Sequence, residues 1–270
     1  MAQDFLEIAG LTDVGKVRQF NEDNIGIDAE TGTVLVADGM GGHRAGEVAS
    51  RMASDLIMAD LHDAVSKLGN EVGILPAMHA ADRVIKRANR AVFAAAQTQA
   101  AYKGMGTTLA LAIFHDNRAV LAHVGDSRIY RLRGNALQLL TRDDSMLRDQ
   151  VDLGFIRAED AGESHNRSLI TRALGIAETV KAHLGHDSAL PGDIFLLCSD
   201  GLTDIVEERD IELILSALRS NLPLACFHLV QTAKDNGGYD NVSAILVRVR
   251  ERFPATRRWS FWRWLRGLFA

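Results

Sequence analysis

The chain has 270 residues, of which 47% are apolar and 24% are charged. This length suits one large domain or two small ones, with enough buried surface to fold without disulfide bonds. The formal net charge is −5, but the residues from Arg248 onward include seven Arg and one Glu, a net +6 that leaves −11 on the rest. Such an acidic body argues against nucleic acid as the main partner.

The sequence shows neither a secretory signal nor a membrane span. Its first ten residues, MAQDFLEIAG, lack a basic start followed by an apolar stretch. No run of about 18 apolar residues occurs. We therefore expect a cytoplasmic protein.

Apolar periodicity predicts three strands, then two long helices, then four more strands. The first strands cover residues 5–12, 24–28 and 32–37, and the helices cover residues 45–65 and 75–99. The later strands lie at residues 107–114, 118–124, 128–132 and 136–140 and are separated by the turn sequences HDN, GDS and RGN. This regular meander favours an antiparallel sheet.

The remainder of the chain begins with a polar, irregular stretch at residues 143–173 that contains short helical pieces. Strands at residues 193–198 and 242–250 then flank helices at residues 207–218 and 222–235. Paired helices together with many antiparallel strands predict sheets packed on each other, with the helices outside. The expected fold class is α+β.

Four short acidic strings each place an aspartate at the end of an apolar run or just before one. They are RQFNEDN (18–24), VADGMGG (36–42), CSDGLTD (198–204) and YDNVSAI (239–245). Carboxylates from several strand ends can converge on one cleft, where they repel one another unless a cation or protons lie between them. Hard divalent ions such as Mg²⁺ and Mn²⁺ take oxygen ligands of this kind. The residues therefore indicate a carboxylate-held metal centre.

The order of six strings over residues 12–249 resembles a known family. R-x-x-x-E-D is followed by DG-x-GG, G-T-T, GDSR, SDG and DN, and DGMGGH-x-x-GE at residues 38–47 is similar to the bacterial branch. A single DG or DN dipeptide is a common turn signal. Six such strings in this order and with this spacing are a specific signal. The chain resembles the PP2C-type metal-dependent Ser/Thr protein phosphatases. The resemblance implies a four-layer α-β-β-α sandwich, with two antiparallel sheets flanked by helices and metals at one sheet edge.

The resemblance also implies a ligand set for two metal ions. Asp38 would bridge both ions, and the carbonyl of Gly39 would bind one, since only glycine lets the backbone approach so closely. Asp200 and Asp240 would complete the other ion. Two further carboxylates, Glu22 and Asp23, would hold metal waters or ligate directly. Adjacent side chains on a strand point to opposite faces, so one of this last pair should lie further from the metals.

The implied reaction is hydrolysis of phosphoserine and phosphothreonine on proteins, reversing a Ser/Thr kinase. Two Mn²⁺ or Mg²⁺ ions would activate a water that attacks the phosphorus. Arg18 would grip the substrate phosphate through its planar guanidinium. Asp126 reads first as a hairpin-turn residue, and the resemblance places it on a third, weaker metal. The plainer alternatives are that the aspartates are turn formers and helix caps and that Arg18 is a solvated charge.

Two departures from the family pattern concern the proton donor and the substrate. Some members carry a histidine after the DG, proposed as a general acid, where this chain has Met40. The leaving oxygen would then take its proton from a metal-bound water. Bacterial members often read D-H-S where residues 143–145 read DDS. This change places an anion near the flap at residues 143–173 and bears on substrate preference.

The C-terminal segment at residues 253–270, FPATRRWSFWRWLRGLFA, lies outside the resemblance and holds all three Trp. Helical spacing would put five large apolar groups on one face: Phe261, Trp262, Leu265, Leu268 and Phe269. A basic, aromatic helix suits peripheral contact with the inner face of the membrane. Docking on a partner or on its own domain is equally open. We therefore predict a phosphatase domain at residues 1–250 and a tail at residues 251–270.

Two other functions remain open at this point. The chain could be another two-metal phosphoesterase, such as a nuclease, which its acidic body disfavours. It could also be a catalytically weak regulatory domain that binds phosphoproteins. Such domains usually lose metal aspartates, and none is lost here.

Overall fold

The computed structural model describes residues 2–42, 44–68, 71–157 and 169–255. Two antiparallel sheets lie face to face, and pairs of helices cover their outer sides. This arrangement confirms the predicted α+β class and the four-layer sandwich. None of the helices in the described part of the chain is long and apolar enough to cross a membrane.

The first sheet has the strand order β2-β3-β5-β6-β9, with the short β4 paired to β3. Every pairing is antiparallel. Its strands are β2 (Asp23–Asp28), β3 (Thr33–Met40), β4 (Gly106–Thr107), β5 (Leu109–His115), β6 (Arg118–Val124) and β9 (His183–Ser188).

The second sheet has the order β1-β11-β10-β7-β8, so the chain's first and last strands are neighbours. Its pairings are also antiparallel. Its strands are β1 (Leu6–Asp13), β7 (Arg128–Arg133), β8 (Ala136–Leu139), β10 (Ile194–Cys198) and β11 (Val242–Val249).

Two pairs of helices form the outer layers. The helices α1 (Ala45–Leu68) and α2 (Leu75–Thr98) cover the first sheet, and α5 (Glu208–Ala217) and α6 (Leu222–Asp235) cover the second. Local chemistry sets their starts: a proline stands in the first turn of α2 and of α6, and the Asn221 side chain accepts the Leu224 N–H. The shorter helices α3 (Met146–Asp152) and α4 (Asp200–Thr203) lie beside the sheet edge.

Three apolar layers hold the sandwich together. One lies between α1, α2 and the first sheet, and another lies between α5, α6 and the second sheet. The third lies between the sheets, where Phe114 of β5 meets Phe195 of β10 edge to face at 5.2 Å. Burial of both sheet faces explains why β10, and β5 up to its last residue His115, are apolar.

The predicted meander is wrong in one respect, because its four strands do not form a single sheet. β5 and β6 belong to the first sheet, whereas β7 and β8 belong to the second. The chain crosses between sheets at Gly125, whose φ of +97° suits glycine. Asp126 is therefore not a hairpin-turn residue. Turn chemistry alone does not distinguish a hairpin from a crossing between sheets.

One strand was missed, and the last described residues extend the structure beyond β11. The edge strand β9 was not predicted, because its sequence HLGHDS is mostly polar and half-exposed. At the other end of the chain, Phe253 packs against the layer between the sheets, and its N–H donates to Asn117 Oδ1 at 2.8 Å. Residues 251–255, which the sequence assigned to the tail, therefore include contacts with the phosphatase domain. Residues 256–270, which carry the predicted apolar face of the tail, lie outside the described residues.

Candidate metal centre

One edge of the sandwich gathers the predicted carboxylates because several strands begin or end there. Asp23 opens β2 and lies directly across from Asp38 near the end of β3. Asp200 follows β10, and Asp240 precedes β11, which pairs with β10. Asp126 follows β6. The topology thus brings together residues that are more than two hundred positions apart in the chain.

Two threonines fix the backbone at Asp38. The Asp38 N–H donates to Thr108 Oγ1 at 3.0 Å, and the Asp38 carbonyl accepts from the Thr108 N–H at 2.8 Å. The Thr107 hydroxyl donates to the same carbonyl at 2.9 Å. Thr108 interrupts the strand predicted at residues 107–114, which leaves β4 and β5 on either side. Loss of strand regularity therefore serves to position the candidate bridging carboxylate.

Gly39 occupies a place that no larger residue fits. A Cβ at this position would lie 2.1 Å from the Gly46 carbonyl oxygen and 2.6 Å from the Glu22 carbonyl oxygen. The Gly39 N–H donates to that Glu22 carbonyl at 3.1 Å. The close approach packs the start of α1 against the sheet edge, as a backbone ligand at Gly39 would require.

Asp23 is buried and held from one side by two serines. Its Oδ2 accepts the hydroxyls of Ser199 at 2.8 Å and Ser243 at 2.7 Å. Its Oδ1 has no hydrogen-bond partner in the described structure. Sequence reasoning missed both serines, although each lies inside one of the acidic strings. Their hydroxyls leave a single oxygen of Asp23 for another ligand.

Four buried carboxylate oxygens in the described structure lack a hydrogen-bond partner. They belong to Glu22, Asp23, Asp126 and Asp200. Buried oxygens of this kind are rare unless an ion or water satisfies them, and carboxylates suit Mg²⁺ and Mn²⁺. The residues therefore fit the implied metal ions. Among the described residues, however, no three acidic, His or Cys side chains already surround a single point.

Mutual repulsion and burial account for the electrostatics of the cluster. Burial, followed by the charges of Asp23 and Asp200, raises the pKa of Asp38 well above its ordinary value. Burial is also the main cause that raises the pKa of Asp23 to about 7, of Asp126 to about 8 and of Asp200 to about 6. Carboxylates that repel one another in this way favour a cation or protons between them.

Arg18 lies beside the carboxylates and contacts one of them directly. Its Nη2 donates to Asp240 Oδ2 at 2.7 Å, and both side chains are partly exposed. Asp240 Oδ1 also accepts the Asn241 N–H at 2.8 Å, so both oxygens of this carboxylate have a partner. Arg18 also lies within the electrostatic reach of Glu22 and Asp38.

Asn241, which sequence reasoning did not single out, positions the segment that carries Arg18. Its Nδ2 donates to the carbonyls of Val14 at 3.0 Å and Phe20 at 2.9 Å. Its Oδ1 accepts the Glu22 N–H at 2.8 Å. The DN string thus contributes both a carboxylate and an amide that fastens residues 14–22 to β11.

Asp126 borders a small cavity of about 60 Å³ that it shares with Asp200 and Asp204. Arg128 forms another part of the wall and binds Asp143 with two nitrogens, at 3.0 Å and 2.6 Å. Because Arg128 and Leu147 also line this cavity, the third ion implied for Asp126 stays a prediction. The first aspartate of the DDS sequence is therefore neutralised by an ion pair.

Known proteins match almost the whole chain. A family model described as Protein phosphatase 2C matches residues 15–225. The serine/threonine phosphatase stp of Listeria welshimeri is 38% identical over 239 residues, which cover 87% of this chain and 93% of that protein. The crystal structure of the Mycobacterium tuberculosis serine/threonine phosphatase PstP/Ppp has a TM-score of 0.83 at 37% identity, covering 92% of this chain and 100% of that one.

A second similar structure contains metal. It is the catalytic domain of PstP in complex with two manganese ions, with a TM-score of 0.78 at 35% identity, covering 92% of this chain and 99% of that one. The fold, the sheet edge and these matches define a protein phosphatase. The chain belongs to the protein phosphatase 2C family, which confirms the resemblance of its acidic strings and disfavours the nuclease alternative.

Proposed function

We propose that this protein hydrolyses phosphoserine and phosphothreonine on proteins, with Mn²⁺ or Mg²⁺ held at the carboxylate edge. The observation that carries the proposal is the set of unpartnered, buried carboxylate oxygens at one sheet edge, of which the Glu22 oxygen lies within the electrostatic reach of Arg18. A cation-binding edge beside a guanidinium suits a substrate that carries a phosphate dianion. The family membership supports the same reaction class.

The proposed ligands divide between the sheets. Asp38, the Gly39 carbonyl and Glu22 belong to the first sheet or precede it, and Asp200 and Asp240 belong to the ends of the second. Asp23 holds its place through two serine hydroxyls, and Asp126 would hold a third ion. A bound divalent pair supplies an acidified water and neutralises charge that develops on the phosphate.

Arg18 orients the substrate in this proposal. Its guanidinium can present two parallel N–H groups to phosphate oxygens. It now donates to Asp240, so binding of a phosphate would compete with that carboxylate for the guanidinium. Met40 has no titratable group, so the leaving serine or threonine oxygen takes its proton from water.

We further propose that the enzyme opposes a cognate Ser/Thr kinase in the cytoplasm and that its tail contacts the inner face of the membrane or a partner. The described chain ends at Ala255, whose N–H donates to Asp116 Oδ1 in the turn between β5 and β6. That turn lies at the edge opposite the carboxylates, since β5 begins beside Asp38. The point at which the described chain ends is therefore distant from the carboxylate edge.

A phosphothreonine peptide tests the proposed function. Phosphate release should require Mn²⁺ or Mg²⁺ and should stop with EDTA. The same preparation should leave single-stranded and duplex DNA intact, which separates a protein phosphatase from a nuclease. Tight binding of the phosphopeptide without turnover at any metal concentration would instead support the regulatory-domain alternative.

A further inference from the structure

Asp144 is a buried carboxylate outside the candidate metal centre, and both of its oxygens are bound. Its side chain is 1% exposed. The Gly125 N–H donates to Oδ2 at 3.1 Å. His183 Nε2 lies 2.9 Å from Oδ1, and Arg172 Nη1 lies 3.1 Å from the same oxygen. The second aspartate of the DDS sequence is therefore an internal anchor and not a surface anion.

The backbone of Asp144 repeats the same connection. The Asp144 N–H donates to the Gly125 carbonyl at 2.9 Å. Asp144 therefore binds both the N–H and the carbonyl of Gly125. Gly125 has a φ of +97°, and a Cβ there would lie 2.8 Å from Thr108 Cγ2. The next residue is Asp126. One residue thus determines where the chain turns immediately before a candidate metal ligand.

Asp144 is in turn fixed to the rigid part of the first sheet. The ring of His183, on β9, stacks on the ring of His123, on β6, with centroids 4.7 Å apart and planes 13° apart. His123 Nε2 lies 2.8 Å from the Arg142 carbonyl oxygen. Arg172 Nη1 also lies 2.6 Å from His183 Nε2. Histidines on β6 and β9 therefore support the Asp144 carboxylate, which in turn binds Gly125.

We propose that Asp144 is a positioning residue that fixes the Gly125–Asp126 peptide and so sets the affinity of the Asp126 carboxylate for a divalent ion. His183 and Arg172 hold Asp144 in place. The inference rests on the proposed function, since it takes Asp126 to be a metal ligand. Residues that orient metal ligands alter metal affinity by roughly 10- to 100-fold when they are replaced. A displacement of about 0.5 Å is enough to matter at such sites.

Asp193 supplies a matched control. It is also a buried aspartate, 3% exposed, and it accepts from Arg133 at 2.8 Å and 2.7 Å and from the Leu190 N–H at 2.8 Å. It lies just before β10, at the edge opposite the carboxylates. Asp144→Asn and Asp193→Asn therefore each remove one buried, arginine-paired charge, but only the first is connected to Gly125.

Titration calorimetry with MnCl₂ on the full chain tests the inference without an activity readout. Asp144→Asn should weaken the Mn²⁺ site that Asp126→Asn abolishes, by roughly tenfold. Asp193→Asn should leave that site unchanged, even if it lowers Tm as much. In the double variant Asp126→Asn/Asp144→Asn, the second change should have no further effect on Mn²⁺ binding.

The outcomes separate this inference from the proposed function. Wild-type affinity in Asp144→Asn, or an equal loss in Asp193→Asn, would overturn the positioning role. If the wild-type protein bound no Mn²⁺, both the proposed function and this inference would fail. If Asp144→Asn does not fold, His183→Ala serves instead, with His186→Ala on the same strand as its control. His183→Ala should weaken the same site several-fold, and unchanged binding would reject the role.

Discussion

Arg18 donates to Asp240 at 2.7 Å, so the residue expected to bind phosphate is paired with a residue expected to bind metal. The two expected ligands of this pair, a phosphate and a cation, carry opposite charges. When both ligands are bound, the phosphate replaces Asp240 as the partner of Arg18, and the cation replaces Arg18 as the partner of Asp240. The pair therefore links phosphate binding and metal binding through a single contact.

Replacing Arg18 should weaken substrate binding more than it slows turnover. Arg18→Ala should raise KM for a phosphothreonine peptide by roughly tenfold with a small change in kcat, because the guanidinium grips phosphate in the ground state and the transition state alike. Arg18→Lys keeps the charge but loses the planar fork, and it should give an intermediate KM. An unchanged KM in Arg18→Ala would show that the residue does not bind the substrate phosphate.

Replacing the central carboxylates should remove activity and preserve the fold. Asp38→Asn and Asp200→Asn should each lower kcat by at least roughly 100-fold, because each leaves a metal without a ligand. Asp60→Asn, which breaks an exposed pair with Arg87 on the outer helices, is the control and should retain full activity. Circular dichroism checks the fold. Normal turnover in Asp38→Asn with excess EDTA would exclude the metal mechanism.

The metal-free protein should lose stability as the pH rises. Burial and nearby carboxylates raise the pKa of Asp126 to about 8 from 3.8. Between these values the folded chain holds a proton that the unfolded chain has released, so the free energy of unfolding falls as the pH increases. Asp126→Asn removes the contribution of Asp126 to that dependence, whereas the raised pKa values of Asp23 and Asp200 preserve the remainder. In EDTA the Tm of Asp126→Asn should exceed that of the wild type by several degrees at about pH 8.5 and by less at about pH 5.

Two comparisons make the pH experiment specific. Asp55→Asn, at an exposed position on α1, should leave the pH dependence of Tm unchanged. Saturating Mn²⁺ should reverse the order of the wild type and Asp126→Asn, since the ion would stabilise the ionised carboxylate. A wild-type Tm in EDTA that rises between these pH values would contradict the raised pKa.

Gly39 should not tolerate a side chain. In Gly39→Ala the new Cβ would meet two backbone oxygens at 2.1 Å and 2.6 Å, so the strand or the start of α1 must move. We expect a loss of about 1–3 kcal/mol in the free energy of unfolding and weaker Mn²⁺ binding. Gly42→Ala is the control, because nothing lies within 4 Å of its Cβ. Chemical denaturation measures the free energy of unfolding of both variants. An equal loss in Gly39→Ala and Gly42→Ala would contradict the prediction.

Truncation of the chain after Ala255 should leave the catalytic domain intact, whereas truncation before Phe253 should destabilise it. Removing residues 256–270 should leave peptide hydrolysis and Tm unchanged but abolish salt-sensitive binding to anionic vesicles, to which each arginine contributes about 1 kcal/mol. Removing residues 251–270 should also lower Tm, because Phe253 and its bond to Asn117 are lost. Vesicle flotation at low and high salt measures the binding. If the intact chain does not float at low salt, the membrane proposal is wrong.

The amino-acid sequence by itself determined the fold class, the family and the set of candidate carboxylates. Long apolar runs and helical periodicity depend on neighbours within about ten residues, so they can be read without a structure. The acidic strings carry their order and spacing along the chain in the same way. These local signals located α1, α2, α6 and most strands to within a few residues.

Only the tertiary structure decided which other residues surround the candidate carboxylates. The meander divides between two sheets at Gly125, and β9 forms from a polar sequence, because long-range pairing outweighs local propensity. Ser199 and Ser243 meet at Asp23 for the same reason, and Asp144 is buried against His183 and Arg172. Such contacts depend on which strand ends fall at the same edge. Sheet topology sets that arrangement, and no local pattern in the sequence records it.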